Sequence, residues 1–277
     1  IDKNKIEDTQ SNVDQKSLEN NDTGLPQTSI FDLQSENQTD SVQVSKSLNS
    51  KEVRIIGLYD PEDYDLKIDL WSNSNGDQLK YLFSNIDKIQ LSKDATELMN
   101  IVLLTNSYAP EINISEDEFL KIRSNWLIKS NDRDLIEEYL IKNKILNLQP
   151  DLTRYLVDQY LSEANLEKAC QIFLQNSEVI NDEYLSKFNL YCLINSGRTE
   201  EAQLILDLKK ELGFEDNYYE NKINYLFGYL DEVDKEISIN SILDFHLAHR
   251  TNPEFSFEPS QDTPNIIWKY LSAANLL

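Results

Sequence analysis

The sequence is poor in the residues that build metal, redox and phosphate-binding sites. Its 277 residues include two cysteines, two histidines, one methionine and six glycines. The cysteines do not form a CxxC pair, so neither a redox motif nor a zinc knuckle is indicated. The glycines are scattered singly, and no GxSxG, SxxK or HExxH motif occurs. The sequence therefore predicts no cofactor and gives no positive sign of an enzyme.

Basic residues and long apolar runs are also scarce. The chain has 26 lysines and arginines against 49 aspartates and glutamates, a formal net charge of −23. Such a surface repels nucleic acids and anionic lipids, which bind through basic side chains. No stretch approaches the roughly 18 apolar residues of a membrane span. The partner we expect is a protein or peptide; the charge is explained either by solubility or by a cationic partner.

Composition divides the chain into three parts. Residues 1–50 are dense in Asn, Gln, Ser and Asp without apolar periodicity, which predicts a disordered acidic tail. Within it, the apolar cluster at 29–33 is either a docking motif or incidental. Residues 51–75 are predicted to be an extended transition segment broken at Pro61. Residues 76–277 are predicted to be helical, and the absence of a C-cap glycine after the last apolar run suggests truncation at the C-terminus.

Apolar residues at intervals of three and four predict eleven helices after residue 75. Ser115 and Glu118 form a capping-box pattern at one of the starts, and Asn131, Asp151 and Asn181 are predicted to start others. The predicted ranges are 76–86, 93–107, 116–129, 133–143, 151–162, 165–176, 182–195, 198–212, 215–229, 238–249 and 264–277.

A short phrase is repeated at an interval of 33 residues. LSEANLEKACQIF at 161–173 aligns with INSGRTEEAQLIL at 194–206, so that Ala169 and Ala202 are equivalent. A weaker third copy upstream has Leu135 in place of the alanine, at a spacing of 34. Helix, tight turn and helix in 33–34 residues is the length of a tetratricopeptide-like repeat, although no copy has the full Trp, Gly, Tyr and Pro pattern. The fold predicted is an irregular, tetratricopeptide-like α-solenoid of antiparallel hairpins.

The order of features also resembles a known group of proteins. GLYDPEDYDLKIDLW, then FLKIRSNWLIKSNDRDLIEEYL, then the region of the two cysteines resemble uncharacterised exported alphaproteobacterial proteins, some labelled antifreeze-glycopeptide-related. The likeness covers roughly residues 55–230. It implies a helical-repeat protein that is periplasmic or otherwise exported, with more chain after Leu277, and it implies no known chemistry.

The two cysteines lie on helices that we expect to be adjacent and antiparallel. Cys170 falls on the second helix of one hairpin and Cys192 on the first helix of the next. At a rise of 1.5 Å per residue, the two positions differ by about 4–5 Å along the helix axes, which a disulfide tolerates if the helices are offset. The alternative is that both are ordinary buried apolar residues.

The two histidines and a group of tyrosines are the remaining candidates. His246 and His249 share a helix face and are a weak candidate metal pair, because a site needs three or four ligands; capping or surface positions are the alternative. Tyr218, Tyr225 and Tyr229 form one predicted helical stripe, which is either core or part of a peptide-binding groove.

These features predict a non-enzymatic helical-repeat scaffold that mediates protein–protein interaction in the periplasm or cell envelope. The alternative is the superhelical, substrate-embracing part of a cell-wall lytic enzyme whose catalytic domain lies outside this chain.

Overall fold

The computed structural model describes residues 54–174 and 179–277, and within them the fold is all-helical, with eleven α-helices, one short 3-10 helix and no β-strand. The predicted all-α fold is confirmed. The predicted tail at 1–50 and the cluster at 29–33 lie outside the described residues. The 3-10 helix is Pro61–Tyr64, and the α-helices are α1 (Gly76–Ile86), α2 (Lys93–Leu104), α3 (Glu116–Ser130), α4 (Arg133–Asn143), α5 (Pro150–Ser162), α6 (Leu166–Leu174), α7 (Glu183–Asn195), α8 (Thr199–Glu211), α9 (Asn217–Leu226), α10 (Ile242–Thr251) and α11 (Asn265–Ala273).

Side-chain caps fix most of the helix starts. The capping box of α3 forms as predicted: Glu118 N donates to Ser115 Oγ at 3.2 Å, and Ser115 N donates to Glu118 Oε2 at 2.8 Å. The N-caps predicted at Asn131 and Asn181 are each one residue early, because the N-caps are Asp132 and Asp182. The start predicted at Asp151 is late, because α5 begins at Pro150 with Gln149 as its N-cap. Asn131 instead ends α3 in the left-handed conformation, at φ 53°.

Three predicted helix ends were placed too late. The second helix was expected to reach 107 but ends at Leu104, after which Thr105 turns to an extended conformation. The ninth was expected to reach 229 but ends at Leu226, and the last was expected to reach 277 but ends at Ala273. In the last two cases apolar residues continue past the last helical turn, so periodicity alone extended the prediction; α2 is instead followed by the polar residues Thr105, Asn106 and Ser107.

Residues 54–60 run extended beside the segment that follows α2. Isolated backbone bridges join Ile56 to Ser107 and Tyr59 to Thr105, and Ile56 and Leu58 are each 5% exposed. Gly57 is required here because an added Cβ would lie 2.5 Å from the backbone nitrogen of Asn106.

Side chains from α3 and α4 hold this extended segment through its backbone. Arg123 of α3, 1% exposed, donates from Nη1 to the carbonyl of Ile56 at 2.6 Å and from Nη2 to Ser107 Oγ at 2.7 Å. Asn143 of α4 donates to the carbonyl of Gly57 and accepts from its N–H, both at 3.0 Å. Burial lowers the pKa of the Arg123 guanidinium. Burying a cation is costly unless its donors are hydrogen-bonded, so these acceptors stabilise the guanidinium in the core.

The sequence repeat reappears as backbone geometry. Asn131, Ala164 and Gly197 all have positive φ, of 53°, 54° and 80°, and each ends a turn inside one hairpin. They are 33 residues apart. Five residues after each lies a fully buried side chain: Ile136, Ala169 and Ala202, all 0% exposed. The predicted spacing of 34 for the upstream copy, with Leu135 at the alanine position, is therefore wrong by one residue.

Helices α3 to α8 contact their neighbours in a regular order. Consecutive helices pack together, and so do the alternate helices α3 with α5 and α5 with α7. The hydrophobic core runs through the whole series and includes Leu156 of α5, 0% exposed.

The C-terminal helices return to the middle of this series. Both α10 and α11 pack against α5, and Lys269 of α11 reaches Glu163 beyond the end of α5 with Nζ–Oε1 at 3.1 Å. These contacts are additional to those that α5 makes with α3, α4, α6 and α7, so part of α5 faces α10 and α11. We call that part of α5 the inner face. No helix of the described ranges is long and apolar enough to cross a membrane.

Candidate functional site

A buried network of tyrosines and histidines lies where α7, α10 and α11 meet. Tyr191 Oη lies 3.1 Å from His246 Nε2, and His246 Nδ1 lies 3.0 Å from Tyr270 Oη. The same Tyr270 hydroxyl lies 2.7 Å from His249 Nδ1. Tyr191 and Tyr270 are each 1% exposed and His246 is 7% exposed. The two histidines predicted to share a helix face thus converge on one phenol.

The hydrogen bonds of the network allow two arrangements of its protons. A phenol has one proton, so Tyr270 donates to one histidine and accepts from the other. If His246 donates from Nδ1, its Nε2 accepts from Tyr191, and Tyr270 donates to His249; the opposite order is also consistent. In both orders each imidazole is neutral. Burial lowers the pKa of His246 to about 4 and also lowers that of His249, and the positive charge of Arg250 adds to both shifts.

Phenylalanines close this network on its other side. The ring of Phe245 makes edge contacts with Tyr270, Phe255 and Phe257 at centroid distances of 5.0–5.6 Å. Among the described residues no group of three or more His, Cys, Asp or Glu side chains is arranged to hold a metal ion. The arrangement joins three helices by hydrogen bonds and aromatic contacts, with the His246 imidazole buried and His249 partly exposed at the edge of the network.

The three tyrosines of the predicted groove do not form one helical stripe. Tyr218 is in the first turn of α9, where its hydroxyl donates to the carbonyl of Asp244 at 3.1 Å and accepts from the N–H of Ser238 at 3.2 Å. Tyr225 is partly buried near the end of α9. Tyr229 lies beyond the helix, 63% exposed and stacked on Phe227 with centroids 5.4 Å apart. Gly228, at φ 79°, turns the chain before Tyr229 and so breaks the predicted stripe.

The two cysteines are joined. Cys170 of α6 and Cys192 of α7 form a disulfide with an Sγ–Sγ distance of 2.05 Å and a Cα–Cα distance of 5.3 Å. Both residues are buried, at 7% and 3% exposure. The bond joins the second helix of one hairpin to the first helix of the next.

Two buried polar groups have no signal in the sequence. Asp158 of α5 accepts a hydrogen bond from the Tyr184 hydroxyl of α7, and burial raises the pKa of its carboxyl to about 6. Lys222 of α9 is 0% exposed and donates from Nζ to the backbone carbonyls of Asp234 and Glu236. The helical pattern of the sequence does not distinguish Lys222 from a surface lysine. It is buried because residues 234–236 fold back over it.

The open clefts in the described part of the chain include three that are well defined. One of about 560 Å³, between α4 and α6, is lined mainly by acids and lysines, and another of about 720 Å³ borders residues 55–69. The third, of about 210 Å³, lies between α1 and α3. None of the three is lined by the tyrosines or histidines predicted from the sequence. The candidate residues and the clefts are therefore separate features.

The outer side of α8 is the place where large apolar side chains are exposed in a regular row. Leu204, Leu208 and Leu212 are 69%, 54% and 80% exposed, at intervals of four residues. Residues four apart lie on one side of a helix. The opposite side of α8, with Ala202 and Leu206, is buried and packs against α7. We call the exposed row the α8 leucine face.

Comparison of the chain with family models, with curated proteins and with solved structures gave no match.

Proposed function

We propose that this chain is a non-enzymatic helical-repeat module that binds another protein. The observation that carries the proposal is the contrast between the two sides of the helix series: the inner face of α5 is covered by α10 and α11, and α8 presents an uncovered leucine face. Contiguous exposed apolar side chains on a folded surface are typical of protein-binding sites.

The finer fold that we propose is a short tetratricopeptide-like stack closed by its own C-terminus. The support is the 33-residue interval of the left-handed residues Asn131, Ala164 and Gly197, together with the contacts between consecutive and alternate helices from α3 to α8. Stacked hairpins make these contacts because each hairpin buries its apolar side against the next. The contacts of α5 with α10 and α11 are additional to that pattern.

The inner face is not the binding surface in this proposal. In repeat arrays an extended ligand lies along the inner helices, and here that place is taken by Phe245, Leu247, Tyr270 and Leu271, each 0–1% exposed. Displacing them would expose a large part of the core to water. The alternative, a superhelical domain that embraces a glycan, needs an open inner face and is not the function we propose.

The disulfide supports a location outside the cytoplasm. Disulfides persist in oxidising compartments and are reduced by glutathione and thioredoxin in the cytosol. The bond between Cys170 and Cys192 therefore agrees with the periplasmic or exported location implied by the family resemblance. Alkylating intact cells with a membrane-permeant thiol reagent before lysis tests this: protected cysteines that react only after reduction are expected. Cysteines alkylated without prior reduction would contradict export.

Affinity capture tests the binding function. The full chain at micromolar concentration would be used as bait in an extract of the organism that encodes it, beside an unrelated protein of similar net charge. We expect one or a few partners to be enriched over the acidic control in near-stoichiometric amounts. Enrichment of nothing beyond the control would contradict the proposal, since a module of this kind has no other activity.

A further inference from the structure

Leu204 and Leu208 of the α8 leucine face are not required by the repeat, whereas Leu212 aligns with the apolar residues Val179 and Leu146. With an interval of 33 residues, the positions equivalent to Leu204 in the two earlier hairpins are Gln171 and Glu138, and both are exposed. The position equivalent to Leu208 in the first hairpin is Lys142, also exposed. Hairpins of the same design thus carry polar side chains at these places, and packing gives no reason for leucine here.

Acidic side chains follow one edge of the same face. Glu200, Asp207 and Glu211 lie four residues before, three after and seven after Leu204, which puts them beside the leucines on the helix surface. All three are exposed. In the part of the chain that the structure describes, none of them is paired with a lysine or arginine; Asp207 accepts only from Gln203, at 2.7 Å.

The basic residues of α8 are turned away from this edge. Lys210 Nζ pairs with Glu220 at 2.6 Å, and Lys209 Nζ lies 5.2 Å from the centre of the Phe214 ring. Arg198 pairs with Glu201 at 2.5 Å. The leucine face is therefore bordered by uncompensated negative charge.

From these observations we propose that the α8 leucine face docks a basic amphipathic helix of a partner protein. The partner's apolar side covers Leu204, Leu208 and Leu212, and its lysines or arginines lie opposite the acidic edge. This inference rests on the proposed function and names the surface and the chemistry of the partner. A second copy of the chain would bring the same acids and another charge of −23 to the interface, and an anionic membrane would be repelled for the same reason.

The test uses the full chain and a synthetic peptide. The probe is an 18-residue, amidated peptide of leucine and lysine whose leucines occupy one helix face, and its control has the same composition in scrambled order. Affinities would be measured by fluorescence anisotropy at physiological salt. We expect the amphipathic peptide to bind at least tenfold more tightly than the scrambled one, with an affinity that falls as salt is raised. Equal affinity of the two peptides would overturn the proposal.

Variants separate the apolar from the charged contribution. L204E/L208E makes the chain more acidic, which favours a cationic peptide in general, yet we expect at least a tenfold loss of affinity because the apolar contact is removed. The matched control is L82E/L98E, at leucines of α1 and α2 that are 50% and 63% exposed; it should retain wild-type binding. E200K/E211K should also bind the amphipathic peptide about tenfold more weakly, and its affinity should depend less on salt concentration. Unchanged binding by L204E/L208E would overturn the proposed surface.

Two further measurements distinguish the occupants. Sedimentation that shows a wild-type dimer, lost in L204E/L208E, would overturn the basic partner in favour of a second copy. In the affinity capture described above, a partner held equally by wild type and L204E/L208E would leave the proposed function standing and remove this surface from it. A partner lost only from L204E/L208E, and not from L82E/L98E, supports both.

Discussion

Helices α5 and α8 occupy opposite situations in the same molecule. The first contacts α3, α4, α6, α7, α10 and α11, whereas the second packs mainly against α7 and exposes its leucine face. Both helices are 13 residues long and belong to neighbouring hairpins of one repeat. The two helices therefore differ in burial because different numbers of other helices pack against them.

This contrast separates stability from binding. The buried side chains of α5 contribute to the fold because the surrounding helices remove them from water. Leucines on α8 contribute little to the isolated chain and become important when a partner covers them. Changes placed in the two helices should accordingly affect different measurements.

The largest expected effect is a cavity in α5. Leu156→Ala should lower the free energy of unfolding by about 2–5 kcal/mol, because the side chain is fully buried and the surrounding helices limit collapse around the cavity. The same change at Leu204 should stay within about 0.5 kcal/mol. Urea unfolding followed by circular dichroism measures both. Equal losses would mean that α8 is covered in the isolated chain.

Reduction of the disulfide should loosen the junction between α6 and α7. The bond closes a loop with a sequence separation of 22 residues, for which loop entropy predicts a loss of about 3 kcal/mol on reduction. We expect hydrogen exchange to rise more in α7 and α8 than in α3, since α8 is attached to the core mainly through α7. The control is C170A/C192A, which should be insensitive to reductant. A uniform rise in exchange would contradict the separate behaviour of the α8 region.

Two buried groups near the inner face should give opposite pH dependences. The folded-state pKa of His246 is lowered from 6.5 to about 4, so its contribution to stability is present above pH 6.5 and is lost as pH falls toward 4, by about 3 kcal/mol. That of Asp158 is raised from 3.8 to about 6, so its contribution is present at low pH and is lost as pH rises through 6. In the wild type the two effects oppose each other between pH 4 and 6.5.

Single substitutions separate the contribution of His246 to the pH dependence of stability from that of Asp158. Asp158→Asn should lose stability on acidification more steeply than wild type, whereas His246→Gln should lose it less steeply or gain it. Urea unfolding at pH 4.5 and 7 compares the slopes. Because the chain has two histidines, proton NMR can follow His246 directly, with its titration midpoint expected near pH 4. A midpoint near 6.5 would mean that the network of Tyr191 and Tyr270 is open to water.

The smallest effect concerns the turns that precede α6 and α8. Gly197→Ala should cost about 1 kcal/mol, since φ is 80° and an added Cβ meets nothing within 4 Å, so only the backbone preference changes. Ala164→Gly, at φ 54°, should be neutral or stabilising by up to about 1 kcal/mol. Thermal unfolding of the two variants in parallel checks the signs. Shifts of the same sign would show that the two turns are not equivalent.

Local patterns predicted the helices well because their causes are local. The capping box of Ser115 and Glu118 and the 3–4 spacing of apolar residues depend on a few neighbouring positions, and the limits of α1 and α4 were predicted to the residue. Errors arose where the cause was distant. The end of α2 depends on the pairing of Thr105 with Tyr59, which no window of sequence around residue 105 contains.

The candidate residues were harder to predict than the helices. Spacing identified Cys170 and Cys192 as a geometrically allowed pair, and the two histidines as neighbours on one face. It could not show that Tyr270, 24 residues after His246, supplies the hydroxyl that both histidines contact. The α8 leucine face was missed because an amphipathic pattern does not reveal which apolar side chains find a neighbour; the repeat alignment of Leu204 with Gln171 and Glu138 was the available signal.

The backbone clamp on residues 56–58 decides how this chain can be shortened for experiments. A fragment starting at Gly76, where the first α-helix begins, would remove the carbonyl that receives the Arg123 guanidinium and the amide group that Asn143 holds. The buried Arg123 guanidinium would then lack one of its hydrogen-bond acceptors unless water entered the core or the fold changed. Shortened chains for expression should therefore begin no later than Arg54, and a series of N-terminal deletions should show an abrupt loss of soluble product once Ile56 is gone.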